Sequence, residues 1–86
     1  MHYVYVLWST KLGKRYVGAT EKVDVRVRQH NAGKTAFTKS GMPWVLIYQE
    51  ECESLSSARK REVFLKSGAG RAWLDERLSK FKKKVP

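Results

Sequence analysis

Three tyrosines stand near the start of the chain: Tyr3 and Tyr5 in the run Tyr3–Trp8, and Tyr16 in Arg15–Ala19. On a strand, Tyr3, Tyr5 and Leu7 share one face, because side chains alternate. A strand phenol commonly packs at the edge of a core with its hydroxyl in water. It can also orient or deprotonate an attacking water, provided nearby positive charge lowers its pKa. Arg26 and His30 are four residues apart, so on a helix they share a face with Val23 and Val27. An arginine there can hold a phosphate or offset transition-state charge. The plainer reading is a solvated arginine and a histidine favoured by a helix C-terminus. Glu62 is the only acid between Glu53 and Asp75. Its helical neighbours are Ala58 and Leu65 on one side, Arg59 and Lys66 on the other, so it borders an apolar stripe. A carboxylate in that position can hold a hydrated Mg²⁺ together with substrate phosphates. It can equally form an i, i+4 pair with Lys66, worth about 0.3–0.5 kcal/mol.

Other chemistries lack their residues. There is no Walker-type phosphate loop, no dinucleotide-binding glycine fingerprint and no serine nucleophile elbow. No pair of carboxylates stands ready for two-metal catalysis. The lone Cys52 excludes an internal disulfide and a cysteine-based zinc site, and fits a reducing compartment such as the cytoplasm. Met1–Leu7 lacks the small-residue cleavage site of a secretory signal. The longest nearly apolar runs, Tyr3–Trp8 and Pro43–Tyr48, are far short of the roughly 18–20 residues of a membrane span.

The elements that must position these groups follow from the same sequence. Tyr3–Trp8 is β-branched and aromatic, a strand. Ser9–Lys14 holds Gly13 and reads as a turn into a second strand, Arg15–Ala19, giving an antiparallel hairpin. Trp44–Tyr48 is a third strand, with Pro43 at its start where no ladder bond is lost. Ser54 is an N-cap for a helix over Leu55–Lys66, and Gly68 its C′ terminator. Arg71–Phe81 places Leu74, Leu78 and Phe81 on one helical stripe. Val23–His30 is ambiguous: valines alternating with charged residues suit a strand, whereas Val23 and Val27 at i, i+4 with Gly33 beyond them suit a helix.

The 86 residues are enough for one domain, which we place at 1–80, followed by a basic tail over 81–86. A formal net charge of +10 makes a polyanion the first partner to expect, since each neutralised phosphate releases counterions. The charge is uneven: residues 1–56 hold 8 basic and 5 acidic residues, and residues 57–86 hold 10 and 3.

From Tyr3 to about Leu78 this pattern resembles the GIY-YIG nuclease family, and within it the small stand-alone members. The first motif reads Tyr3-Val4-Tyr5 and the second Tyr16-Val17-Gly18, with Tyr5 and Tyr16 eleven apart. Arg26 and His30 follow Tyr16 by ten and fourteen residues, and Ala58–Lys66 resembles the family's glutamate helix. Two features depart from the family pattern. Tyr3-Val4 replaces Gly-Ile, and no asparagine follows Glu62, Asn31 being the only one in the chain. The resemblance implies an α/β fold, a three-stranded antiparallel sheet flanked by helices, and makes Val23–His30 a helix with Val23 and Val27 facing the core.

The implied activity is hydrolysis of phosphodiester bonds in DNA with one Mg²⁺ or Mn²⁺. By the same resemblance, Tyr5 or Tyr16 positions or activates the water and Arg26 stabilises charge on the scissile phosphate. His30 assists proton transfer or holds a tyrosine, and Glu62 holds the metal. Arg28, Lys34, Lys39, Arg59, Arg61 and Lys66 are then the expected nucleic-acid contacts. The alternatives are a nucleic-acid-binding module with weak or partner-dependent catalysis, and an interaction domain for an acidic protein. No membrane partner is expected.

Overall fold

The structure, a computed structural model, describes residues 1–84, with side chains as far as Leu78. In chain order it contains β1 (His2–Ser9), β2 (Lys14–Thr20), α1 (Val23–Asn31), a 3₁₀ turn (Lys39–Gly41), β3 (Trp44–Cys52), α2 (Leu55–Lys66) and α3 (Gly68–Lys84). The three strands form one antiparallel sheet in the order β2-β1-β3. The fold is α/β, a three-stranded antiparallel sheet flanked by helices, as the resemblance implies. The whole of the expected basic tail, 81–86, lies outside the described side chains, and residues 85–86 lie outside the described residues altogether.

The central strand, β1, is apolar on both faces, so the sheet is covered on both sides. Val4 and Val6, with Val17 of β2, pack against Ala58 and Leu65 of α2 and Leu74 and Leu78 of α3. The opposite face carries Tyr5 and Leu7, with Val23 of α1 and Trp44 of β3, and Tyr3, Tyr16 and Val27 at its margin. Burying each large aliphatic side chain contributes about 1.5–3 kcal/mol. The strand register brings Tyr5 opposite Gly18 and Leu7 opposite Tyr16. Both tyrosine motifs therefore meet on the face that α1 covers.

Local signals explain the element ends. Ser54 caps α2 by accepting from the Ser57 amide at 3.1 Å, while the Ser57 hydroxyl accepts from the Ser54 amide at 3.1 Å. This is a reciprocal capping box with serine in place of the usual glutamate. α1 ends beyond Asn31, and Gly33 takes the left-handed φ of 74° expected of its stop signal. The valine alternation is overridden because a helix puts buried Val23 and His30 and half-buried Val27 against the sheet.

Two boundaries and one helix terminator differ from the sequence reading. Gly68 does not terminate α2; it begins α3, three residues before the expected start. Ser67 makes the junction instead. Its hydroxyl donates to the Phe64 carbonyl at the end of α2 and accepts from the Gly70 amide at the start of α3. A Cβ at Gly70 would run into the Phe64 carbonyl, so the closeness of the two helices requires glycine there. β3 also runs on to Cys52, because its polar end pairs with the start of β1.

Candidate active site

Tyr5 is 1% exposed, and its hydroxyl lies 3.0 Å from His30 Nε2. His30, on the last turn of α1, is fully buried. Its other ring nitrogen, Nδ1, lies 2.7 Å from the Thr38 hydroxyl. Tyr16 sits over this pair: its ring centroid is 4.8 Å from that of His30 and 6.3 Å from that of Tyr5. Gly18 makes this packing possible. A Cβ at that position would fall 2.6 Å from the Tyr5 hydroxyl oxygen, so the glycine of the second motif is a consequence of the tyrosine of the first.

Burial pushes the Tyr5 phenol above its ordinary range. The Arg26 guanidinium opposes that shift, while Tyr16 and the Glu62 carboxylate add to it. Tyr5 is therefore a neutral phenol at neutral pH, and not the charge-lowered phenol that water activation requires. His30 is held below its ordinary value, first by burial and then by Arg26, so it is a neutral imidazole. Arg26 is half-buried and donates to Gln29 Oε1 at 2.9 Å, which steadies the guanidinium beside the tyrosines. Tyr5, Tyr16, Arg26 and His30 thus converge, whereas Glu62 stands on α2, which packs against the other face of the sheet.

Glu62 is half-buried, and its Oε2 accepts from the Lys66 ammonium at 2.6 Å. Of the two sequence readings of Glu62, the ion pair with Lys66 is the one seen here, with the carboxylate at the border of the core. Its second oxygen has no bond among the described residues. No cluster of three His, Cys, Asp or Glu occurs among them either. The donor set therefore suits a hard ion that keeps most of its waters and takes one carboxylate plus a phosphate, the habit of Mg²⁺. It does not suit a caged ion.

An open groove of about 740 Å³ runs beside Tyr16. Trp8, Tyr16 and Phe37 supply its aromatic wall, and Lys14 and Arg71 its positive charge, while Lys66 lines it paired with Glu62. Arg15 also lines it, but is paired with Asp75. Phe37 is 83% exposed, with its ring 6.0 Å from that of Tyr16. Tyr16, not Tyr5, is the tyrosine open to this groove.

The expected nucleic-acid contacts separate into groups. Lys34, Lys39 and Arg59 are exposed. Arg28 is exposed and 3.8 Å from Asp24. Lys66 is engaged by Glu62. Arg61 is turned inward: its Nε is 2.9 Å from Glu50, and its guanidinium lies 4.7 Å from the Trp73 ring and 5.0 Å from the Phe64 ring. Its charge is engaged within the fold. Sequence reasoning missed Thr38, Phe37, Lys14 and Arg71. An aromatic inside the basic loop Lys34–Lys39 is a signal that could have singled out Phe37. Nothing local marks Thr38, which matters only because α1 and the loop fold back on each other.

Comparison with known proteins agrees with this geometry. Residues 1–73 match the family model described as the GIY-YIG catalytic domain. A UPF0213 protein of Staphylococcus haemolyticus is 45% identical over 67 residues, covering 77% of this chain and 80% of the relative. UPF0213 proteins of Staphylococcus aureus strains Mu3 and Mu50 are each 40% identical over 67 residues, with the same coverage. No solved structure gives a significant match. With the two tyrosine motifs and the Arg–His helix brought together on one face of the sheet, and the family model spanning these and the glutamate helix, this chain belongs to the GIY-YIG nuclease family.

Proposed function

We propose that the protein is an endonuclease that hydrolyses phosphodiester bonds in DNA with one Mg²⁺ or Mn²⁺ held on Glu62. The observation that carries this reading is the convergence of Tyr5, Tyr16, Arg26 and His30 beside a basic, aromatic-walled groove. The phosphate backbone lies along the groove, drawn by Lys14 and Arg71. Tyr16 orients the attacking water, since it is the phenol open to the groove. Arg26 offsets the charge that grows on the non-bridging oxygens as the water oxygen bonds to phosphorus. His30 keeps Tyr5 in place behind Tyr16. The metal, when bound, offsets charge on the departing oxygen. Glu62 is its ligand, and its Lys66 partner must give way or share the carboxylate.

The test is a panel of labelled duplex, single-stranded and branched DNA, and RNA, incubated with and without metal, with wild type and Glu62→Ala. Cleavage should require metal and vanish in Glu62→Ala. Equal cleavage by the variant would remove Glu62 from the mechanism.

One observation favours a second reading, a nucleic-acid-binding module with weak or partner-dependent catalysis. The Lys66 ammonium occupies one oxygen of Glu62 at 2.6 Å, where a metal would bind. In that case binding survives both EDTA and Glu62→Ala, and no member of the panel is cut.

A further inference from the structure

We propose that Thr38 is a positioning residue of this site: it holds His30 as the Nδ1–H tautomer, which leaves Nε2 as the acceptor for the Tyr5 hydroxyl. The argument is one of counting hydrogens. Thr38 Oγ1 carries a single hydrogen, directed to the Thr35 carbonyl at 3.3 Å. With that hydrogen in use, Oγ1 faces His30 Nδ1 at 2.7 Å as an acceptor, so Nδ1 carries the proton. A neutral imidazole has only one N–H. Nε2 is therefore bare, and the contact of 3.0 Å to Tyr5 is a bond in which Tyr5 donates. The direction of the whole chain follows, from Tyr5 to His30 to Thr38 to the Thr35 carbonyl.

The loop that carries Thr38 is itself pinned. The Thr38 carbonyl accepts from Trp44 Nε1 at 2.7 Å. The Trp44 backbone is clamped by Asn31, whose amide nitrogen donates to its carbonyl at 3.0 Å and whose amide oxygen accepts from its N–H at 2.6 Å. Asn31 adjoins His30 on α1, so one short circuit ties the histidine to the loop that sets its tautomer. The consequence for the site is directional. The Tyr5 O–H points into the protein, and the lone pairs of its oxygen face Arg26. The opposite tautomer would have His30 donating to Tyr5 and would turn the phenol hydrogen toward Arg26. This role rests on the proposed nuclease reading, but the tautomer itself can be observed without any cleavage.

The test is a long-range ¹H–¹⁵N correlation spectrum of the full chain at neutral pH. His2→Gln removes the only other histidine and leaves His30 alone in the spectrum. The background should show a protonated Nδ1 and a bare Nε2, and Thr38→Ser, which keeps the hydroxyl, should show the same. Thr38→Val keeps the shape and loses the acceptor, and should move His30 to the Nε2–H form or a mixture. An Nε2–H histidine in the background, or an unchanged Nδ1–H histidine in a folded Thr38→Val, overturns the proposal. Should Thr38→Val not fold, the background and Thr38→Ser spectra decide. On a DNA substrate that wild type cuts, Thr38→Val should lower kcat about tenfold with little change in KM, the loss typical of removing an outer partner of a functional histidine, and Thr38→Ser should restore it. A shifted tautomer with unchanged kcat overturns the positioning role alone. A protein that cuts nothing leaves the tautomer result standing and counts against the nuclease reading.

Discussion

Tyr5 and Tyr16 carry the same phenol, and burial separates their tasks. Tyr5 is enclosed and ends on His30, whereas Tyr16 lines the groove. Tyr16→Phe should therefore cut cleavage of a labelled DNA by about 10²–10⁴-fold, the range for a positioned proton-handling group, while leaving binding within a few fold. Gly18→Ala tests the contact between the two motifs. Its Cβ would displace the Tyr5 ring, and overpacking of this kind costs about 1–3 kcal/mol. A urea denaturation midpoint unchanged by Gly18→Ala would contradict the packing. The His30 shift sets a pH dependence. Its folded value lies below the ordinary 6.5 because charging it would place a cation in a buried site beside Arg26. Folding stability is therefore complete above about pH 6.5 and falls as the pH drops below that value, since the unfolded chain takes up the proton first. Cleavage should likewise hold steady down to about pH 6.5 and fail only below it, where His30 can no longer accept from Tyr5. A pH–rate profile checks the second trend and urea titrations between about pH 5 and 8 the first.

Among the elements, the loop between α1 and β3 deserves comparison with α2. α2 is specified locally by its Ser54 cap and by buried Ala58 and Leu65, so its start was legible in the sequence. Ser54→Ala should cost about 1 kcal/mol of stability, read from urea denaturation, without changing the site. The loop has no such pattern. It is held by Asn31, Thr38 and Trp44, whose partners lie up to 13 residues away, and it presents Phe37 to solvent. Phe37→Ala should leave the denaturation midpoint within about 0.5 kcal/mol, as for other surface substitutions. It should weaken single-stranded DNA binding in a gel shift by about 1–3 kcal/mol if a base stacks on it. The same contrast explains α1. Val23, Val25 and Val27 alternate as in a strand, but the sheet needs a helix at this place to bring His30 and Val23 onto Tyr5 and Leu7.

Across the whole molecule, the net charge of +10 is divided by the fold. Arg15, Arg61 and Lys66 are engaged by Asp75, Glu50 and Glu62, while Lys14 and Arg71 remain on the groove beside Tyr16. Binding to DNA should weaken linearly on a log–log salt scale, and Arg71→Ala should reduce the slope by about one phosphate contact. Arg61→Ala should leave that slope unchanged and instead lower stability, because it removes the partner of Glu50 and the cation stacked on Trp73. Among the described residues no helix is long and apolar enough to cross a membrane.

What the sequence determined by itself was the set of candidate groups and the order of the elements that carry them. Both are written in local features: β-branched runs, a serine cap, and fixed spacings between Tyr5, Tyr16, Arg26, His30 and Glu62. Tertiary structure decided which phenol meets the groove, which cations are free to meet a phosphate, and that Thr38 stands behind His30. These depend on burial and on contacts between residues far apart in the chain. Burial selects the protonation state of a group, and long-range contacts select its orientation, so neither is visible from residue type and spacing alone.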